Sequence, residues 1–409
     1  MTVNAPTEPA PHLLDAAAAI ASARRAAVAD RYASDTLTVE WREIAQLAAI
    51  AGPWRELAAH ALVANVFYEP AFALAAAPLF GPDAGAVLVW SGTLPRKLIG
   101  FFPARIAARR YGMKLPILIG WTHPYAPLGA PLIERDAAEP VIAAWLRYLA
   151  GNAQLPELVL LPFLPADGPF ATALAVILRR AQMPAAEFNR HTRALLEPRG
   201  VRAAYLEHAL GARKYREVRR TVRRLAELGA LMFTIATEPA AVAAALGDFF
   251  VLEAGGWKGE AGTAAACEDD VRAFVEAAVT ALAAEGKVAI SRILLDGRAI
   301  AAAITLRSGD GAWFWKIAYD EALARFAPGV MLTASVTEQL AEDHTIARAD
   351  SCATADHAVM NRTWSERLSL CDLLIAVRPQ APFARARRLE QLRNVAIAVA
   401  KRARKRLRP

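Results

Sequence analysis

The sequence predicts an α+β protein of two domains, with mixed sheets flanked by helices. Three observations carry this expectation. The chain has 409 residues, more than one ordinary hydrophobic core serves when domains run to roughly 100 to 200 residues. Its second half shows three successive strand patterns, then a helical pattern, then a further strand. No apolar stretch approaches the ~18 uninterrupted residues of a membrane-spanning helix.

The expected organisation is an alanine- and proline-rich segment over residues 1–35, a first domain over 36–200, a second over 201–380 and a basic tail over 381–409. In the first domain, helices are expected across Trp41 to Ala51 and Trp54 to Leu79, and strands at Ala86 to Trp90 and Leu98 to Ile106. The run WTHPYAPLGAPLIERD (Trp121 to Asp136), dense in proline and aromatic residues, reads as a shaped loop. A helix near Pro140 to Ala150, a strand at Leu158 to Phe163 and a helix from Pro169 to Arg180 follow. Tyr205 to Gly229 reads as an amphipathic helix, with Tyr215, Val218, Val222, Leu225 and Leu228 on one face and arginines on the other. The second domain then runs as strand Leu231 to Ala236, helix Pro239 to Ala254, a glycine-rich loop and helix Asp269 to Glu285. Strands Val288 to Leu295, Ile300 to Arg307 and Ala312 to Tyr319 come next, separated by Asp296-Gly297 and Gly309-Asp310-Gly311, which are hairpin signals. Helix Pro328 to Asp343 and strands near Ile346 to Cys352 and Asp372 to Val377 complete it.

The net charge of +8 is not spread over the molecule. From Ala384 to Pro409 there are ten arginines and lysines and a single acid, Glu390, and the rest of the chain is close to neutral. That distribution argues against a globally basic nucleic-acid binder. Cys267, Cys352 and Cys371 form no CxxC pair, which fits reduced thiols. No basic segment precedes the alanine-rich stretch near the N-terminus, and Asp15 interrupts it, so a cytoplasmic location is expected. The signatures of phosphate-loop nucleotide hydrolysis, dinucleotide binding, zinc peptidases and the serine nucleophile elbow do not occur.

Three blocks carry a family resemblance: FFVLEAGGWKGEAGTA (Phe249 to Ala264), WFWKIAYDEALARFAPGVML (Trp313 to Leu332) and ADSCATADHAVMNRTWSER (Ala349 to Arg367). In this order and spacing they resemble the C-terminal domain of CelD/BcsL-like acetyltransferases of the GNAT superfamily, a family related to the FemABX peptidyltransferases. NVFYEPAF (Asn65 to Phe72) and YAPLGAPL (Tyr125 to Leu132) extend the resemblance into the first half. It implies two GNAT-like (acyl-CoA N-acyltransferase) domains in tandem, with the second catalytic. The chain departs from the pattern at Met360-Asn361, where relatives often carry Tyr-Lys.

Acyl transfer from a thioester needs a base for the nucleophile, donors for the oxyanion and an acid for the thiolate. His357 is the base expected here, with Asp350 orienting it and Glu253 as a second candidate. Tyr319, ending the central strand, is the expected acid, or else a tyrosine packing at a strand end. Arg325, Gly329 and Val330 stand where superfamily members cradle the coenzyme A pyrophosphate on a helix N-terminus. Trp257 and Lys258, in the glycine-rich loop, suit a sugar- or phosphate-bearing ligand. Lys316 lies mid-strand among aromatic residues, where an unpaired ammonium is costly to bury, so it should face solvent or a charged ligand. Arg219 and Arg223 on the arginine-rich helix are expected to meet an anionic acceptor.

The expected reaction is acyl transfer, with acetyl-CoA or another acyl-CoA as co-substrate and no permanently bound cofactor or metal. The acceptor is an amine or hydroxyl on a sugar, lipid-linked or cell-envelope polysaccharide precursor. Two alternatives stay open: a FemABX-type aminoacyl transferase using aminoacyl-tRNA, the one reading with a nucleic-acid partner, and a non-catalytic accessory of a membrane polysaccharide synthase. The basic tail should make peripheral contact with anionic membrane.

Overall fold

The computed structural model describes residues 37–93, 96–198, 204–256 and 268–407. Among them, thirteen strands form one sheet. The first half contributes β1 (Thr38–Glu43), β2 (Ala84–Ser91), β3 (Lys97–Arg110), β4 (Met113–Gly120), the short β5 (Leu132–Ile133), β6 (Leu158–Pro165) and β7 (Ala185–Leu196). The second contributes β8 (Leu231–Ala236), β9 (Val288–Leu295), β10 (Arg298–Ser308), β11 (Gly311–Tyr319), β12 (Arg348–Asp350) and β13 (Glu366–Ala376). The spatial order is β1-β2-β3-β4-β6-β13-β7-β12-β11-β10-β9-β8, with β5 beside β3.

That order is a pseudo-twofold arrangement. Each half runs as an antiparallel meander of four strands, with a parallel strand added after a crossover: β6 beside β4 and β12 beside β11. The last strand of each half then sits against the other half. β13 pairs with β6, β7 pairs with β12, and β7 and β13 pair with each other along nearly their full length. This exchange welds the two halves into one sheet.

The helices repeat in the same way. In the first half α1 (Ala51–Ala59) and α2 (Pro70–Phe80) lie between β1 and β2, and α3 (Ala138–Gly151) and α4 (Pro169–Arg180) flank β6. In the second, α5 (Tyr205–Leu210) and α6 (Ala212–Ala226) lead into β8, and α7 (Pro239–Ala254) and α8 (Asp269–Ala284) separate β8 from β9. Next come α9 (Pro328–Glu342) and α10 (Ala358–Thr363), and α11 (Phe383–Leu407) ends the described chain. Helices α2 and α8, equivalent under the pseudo-twofold, pack on each other through Phe72 and Phe274, whose ring centroids are 5.5 Å apart. A buried polar link crosses the same seam: Lys287 Nζ donates to Glu69 (2.9 Å) and Glu285 (2.7 Å), and Ser308 Oγ donates to Glu69 (2.6 Å).

The structure corrects several elements read from the sequence. Thr38–Glu43 is an edge strand and a 3₁₀ segment, Ile44–Ile50, follows it, so the helix expected from Trp41 does not form. Pairing with β2 decides this: Trp41 lies across Val87, and its indole reaches over Gly85, where an added Cβ would sit 2.3 Å from the ring. The helix expected from Trp54 to Leu79 is broken at Asn65, whose side chain accepts from Phe67 N–H and donates to the carbonyls of Leu128 and Ala130. The arginine-rich helix is split at Gly211, which adopts φ 75°. The Asp296-Gly297 turn forms as expected, with positive φ at both residues.

Candidate active site

The candidate site is built on β11. Its pairing with β12 ends at Trp313↔Asp350, and β11 continues to Tyr319 with no described strand on that side. Opposite β10 the register slips by one residue: Ile304 pairs with Lys316 and Thr305 with Phe314, leaving Trp315 as the extra residue of a bulge. The bulge resets the side-chain alternation. Lys316 therefore shares a face with its partner Ile304 and with Trp313, pointing toward α7 rather than to the opposite face.

There it meets Glu253, which occupies the last turn of α7. Lys316 Nζ lies 3.3 Å from Glu253 Oε1, and the two side chains are 11% and 1% exposed. A carboxylate at a helix C-terminus is opposed by the helix dipole, and a buried one is costly unless paired. The ammonium relieves both. Sequence reasoning gave Lys316 only solvent or ligand as partners, and the structure supplies this carboxylate.

The aromatic wall comes from the other half. The loop after β4 brings Tyr125 over Lys316, with Nζ 4.5 Å from the ring centroid, and Tyr125 O accepts from Trp315 Nε1 at 2.9 Å. Burial, reinforced by the negative charges of Glu253 and Glu268, pushes the Tyr125 phenol up to about 12. It stays protonated and can donate. Beside this group an open recess of ≈ 250 Å³ is lined by Leu252, Glu253, Gly256, Ile317, Ala318, Tyr319 and Glu321. Glu253 and Tyr319, expected separately from the sequence, thus border one space.

Gly329 explains the placement of Tyr319. A Cβ there would lie 2.8 Å from Tyr319 Cδ1, so only glycine lets the ring lie against the start of α9. The other pyrophosphate candidates contribute less at the backbone. Val330 N–H already donates to Ala327 O at 3.0 Å, Pro328 has no N–H, and Arg325 is exposed, its guanidinium 4.8 Å over the Phe326 ring. The turn that delivers α9 holds Ala327 at φ 48° and ψ 51°, the left-handed region that a residue with a Cβ rarely enters.

The expected Asp350–His357 pair does not form. Asp350 is buried and its carboxylate is taken by Arg193, with Nε to Oδ1 at 2.7 Å and a second bond from Nη2 to Oδ2, while Cys352 N–H donates to Oδ1 at 3.0 Å. His357 is exposed and caps α10, its Nδ1 accepting from Met360 N–H at 3.2 Å. Burial, with the charge of Asp350 added, pushes the Cys352 thiol well up, which keeps it an unreactive thiol. Arg219 and Arg223 are exposed on α6, which packs against α9 and the 3₁₀ segment Glu321–Phe326. Trp257 and Lys258 lie outside the described residues, as do residues 1–36. Among the described residues no cluster of His, Cys, Asp and Glu has the geometry to hold a metal.

Residues 212–358, which contain β8 to β12 and the recess, match the family model of an acetyltransferase (GNAT) domain. The chain thus carries a GNAT-type acyltransferase domain in its second half. FemX, a solved structure, superposes with a TM-score of 0.54 at 10% identity, over 79% of this chain and 95% of that one, which is a likeness of fold. Two further solved structures resemble it more distantly. They are a conserved protein of unknown function from Bacteroides thetaiotaomicron (TM-score 0.49, 10% identity, 83% of this chain and 100% of that chain) and a tandem GNAT protein from the clavulanic acid pathway (0.39, 12%, 83% and 99%). No curated relative matches the sequence. The acyltransferase fold thus occurs twice in this chain, and the matched half holds the open β11 edge.

Sequence reasoning missed Tyr125 and Arg193 as residues of interest. The first carried a signal in the aromatic loop Trp121 to Asp136, whereas nothing in the run around Arg193 marks it as buried.

Proposed function

We propose that the enzyme transfers an acyl group, acetyl in the simplest case, from acyl-coenzyme A to an amine or hydroxyl on a sugar, lipid-linked or cell-envelope polysaccharide precursor. The resemblance of its three sequence blocks to CelD/BcsL-like acetyltransferases supports this acceptor class, and with it a cytoplasmic place beside the membrane where such precursors are assembled. One observation carries the chemistry: a buried carboxylate, Glu253, paired with Lys316 beside Tyr319 and a stretch of β11 next to which no described strand runs on the β12 side.

In this reading the acceptor nitrogen or oxygen attacks the thioester carbonyl carbon and passes its proton to the Glu253 carboxylate. Backbone N–H groups on the open β11 edge meet the oxyanion. The C–S bond then breaks, and the thiolate takes a proton from the Tyr319 hydroxyl. Lys316 holds Glu253 in place, and Tyr125 shields the pair from water. The proton acceptor is Glu253 rather than His357, because His357 caps a surface helix. The arginine face of α6 favours a second reading in which the donor is aminoacyl-tRNA, as in FemABX-type transferases.

The donor is tested by thermal unfolding. Acetyl-CoA at about 100 times its Kd should stabilise the fold by ~2.7 kcal/mol, while aminoacyl-tRNA should not. Glu253→Gln, which keeps a hydrogen-bond acceptor for Lys316, should lower turnover by roughly 10² to 10⁴, with the acetyl-CoA shift intact. His357→Ala should keep near-full turnover. A shift with aminoacyl-tRNA alone would move the assignment to the second reading, and a Glu253→Gln enzyme with full turnover would remove Glu253 from the mechanism.

A further inference from the structure

Helix α11 is docked at its root only. In its first turns Ala386 is fully buried, and Phe383 and Leu389 pack on a cluster that includes Leu115, Ile117, Leu158 and Leu374. Glu390, fully buried, closes this anchor: it accepts from Arg110 Nη2 at 2.9 Å, from Arg393 Nη1 at 3.0 Å and from the Tyr111 hydroxyl. The clasp has an electrostatic consequence. Glu390 is the one acid from Ala384 to Pro409, so with it sealed inside, the charged side chains exposed along residues 384–397 are all arginines: Arg385, Arg387, Arg388 and Arg393.

The side chains that face outward are apolar as well as basic. Leu392 is 66% exposed, Val395 61%, Ile397 38% and Val399 59%. Leu392, Val395 and Val399 follow one another at three- and four-residue spacing, so they share one face of the helix, away from the docked residues Ala386, Leu389 and Glu390. The sequence KRARKRLRP, from Lys401 to Pro409, follows at once. In water this apolar stripe has no partner among the described residues. A nucleic acid would satisfy the arginines and leave the stripe exposed, whereas an anionic bilayer interface takes up both, the apolar side chains at the acyl-chain boundary and the cations among the headgroups.

We propose that the distal part of α11 is a membrane-seating element for anionic lipid, held to the β3–β4 hairpin by the Glu390 clasp so that the enzyme meets the bilayer in one orientation. This goes beyond the acyl-transfer reading and does not depend on it. No helix in the described chain is long and apolar enough to cross a membrane, so the contact is interfacial.

The experiment is co-sedimentation of the full-length protein with vesicles of equal parts phosphatidylglycerol and phosphatidylcholine, beside vesicles of phosphatidylcholine alone. The protein should sediment with the anionic vesicles only, and less as salt rises. The variant Leu392→Ser/Val395→Ser/Val399→Ser keeps the net charge and should partition about tenfold less or weaker still, with an unchanged unfolding midpoint. A chain ending at Asn394 should keep the clasp and its stability and lose sedimentation altogether. Wild-type sedimentation by either variant overturns the proposal. So does a fall in the serine variant's midpoint, which would make the stripe structural, or binding of bulk transfer RNA equally by wild type and serine variant with no vesicle binding by either.

Discussion

The two halves share a topology and differ in what happens beside their fourth strand. In the second half β11 outruns β12, and among the described residues no strand pairs with its edge next to Glu253, Lys316 and Tyr319. In the first half the chain leaves β4 at Gly120 and fills the equivalent space itself. Trp121 Nε1 donates to Phe80 O at 3.0 Å, Tyr68 OH donates to Trp121 O at 2.7 Å, and Gly129 N–H donates to Phe163 O at 3.0 Å along β6. His123 is sandwiched there against Phe80, ring centroids 4.3 Å apart and planes 8° apart. One copy of the fold thus keeps an accessible strand edge, and the other has turned its edge into packing. The filling loop also serves the open site, because it carries Tyr125 over Lys316. A duplicated fold can therefore leave one strand edge accessible while a loop of the other copy forms part of its wall.

This contrast predicts opposite outcomes for two glycines. A Cβ on Gly129 would lie 1.9 Å from the backbone oxygen of Pro162, which cannot move without breaking β6. Gly129→Ala should cost about 3 kcal/mol or more in chemical denaturation. On Gly329 the clash is with the Tyr319 ring, a side chain that can swing away. Gly329→Ala should therefore leave the denaturation midpoint nearly unchanged and lower kcat by about tenfold through the displaced tyrosine. Equal stability losses would mean that both halves are packed alike, and the distinction between them would fail.

The filled half should also be the acid-sensitive one. Burial lowers the pKa of His123 from its ordinary 6.5 to about 3, so between these values the unfolded chain binds the proton and the folded chain does not. Its neutral burial favours the folded state fully above pH ~6.5, and that advantage is lost as pH falls toward ~3. Between pH 7 and pH 5 the wild type should lose about 2 kcal/mol more stability than His123→Phe. Parallel denaturation curves for the two proteins over this range would show that His123 does not titrate with unfolding.

The smallest effect concerns α6, beside the open half. Its Arg219 and Arg223 are exposed, so Arg219→Gln/Arg223→Gln should weaken binding of an anionic acceptor or donor several-fold, increasingly at low salt, with little change in melting temperature. A large stability loss would make these arginines structural.

Much of the second half was legible from local pattern. The strands and helices from Leu231 to Glu342 follow their periodicities closely, because each buries a face set by its own residues and the turns at Asp296-Gly297 and Gly309 take the backbone those residues favour. The first half was less so. Neither β4 nor β7 was read as a strand: β7 is polar along much of its length, and what makes it a strand is its place between β13 and β12.

The site divides along the same line. The sequence by itself determined the candidates Glu253, Lys316, Tyr319 and Gly329, since a charge among aromatic residues, a strand-end tyrosine and a helix-start glycine are local features with local costs. Only the tertiary structure decided how they combine. A one-residue bulge at Trp315 turned Lys316 toward Glu253, the exchange of β7 and β13 brought Arg193 to Asp350 and took that carboxylate from His357, and a loop of the other half closed over the pair. Register and long-range pairing make these choices, because the free energy of a buried charge depends on the partner that the rest of the chain brings to it.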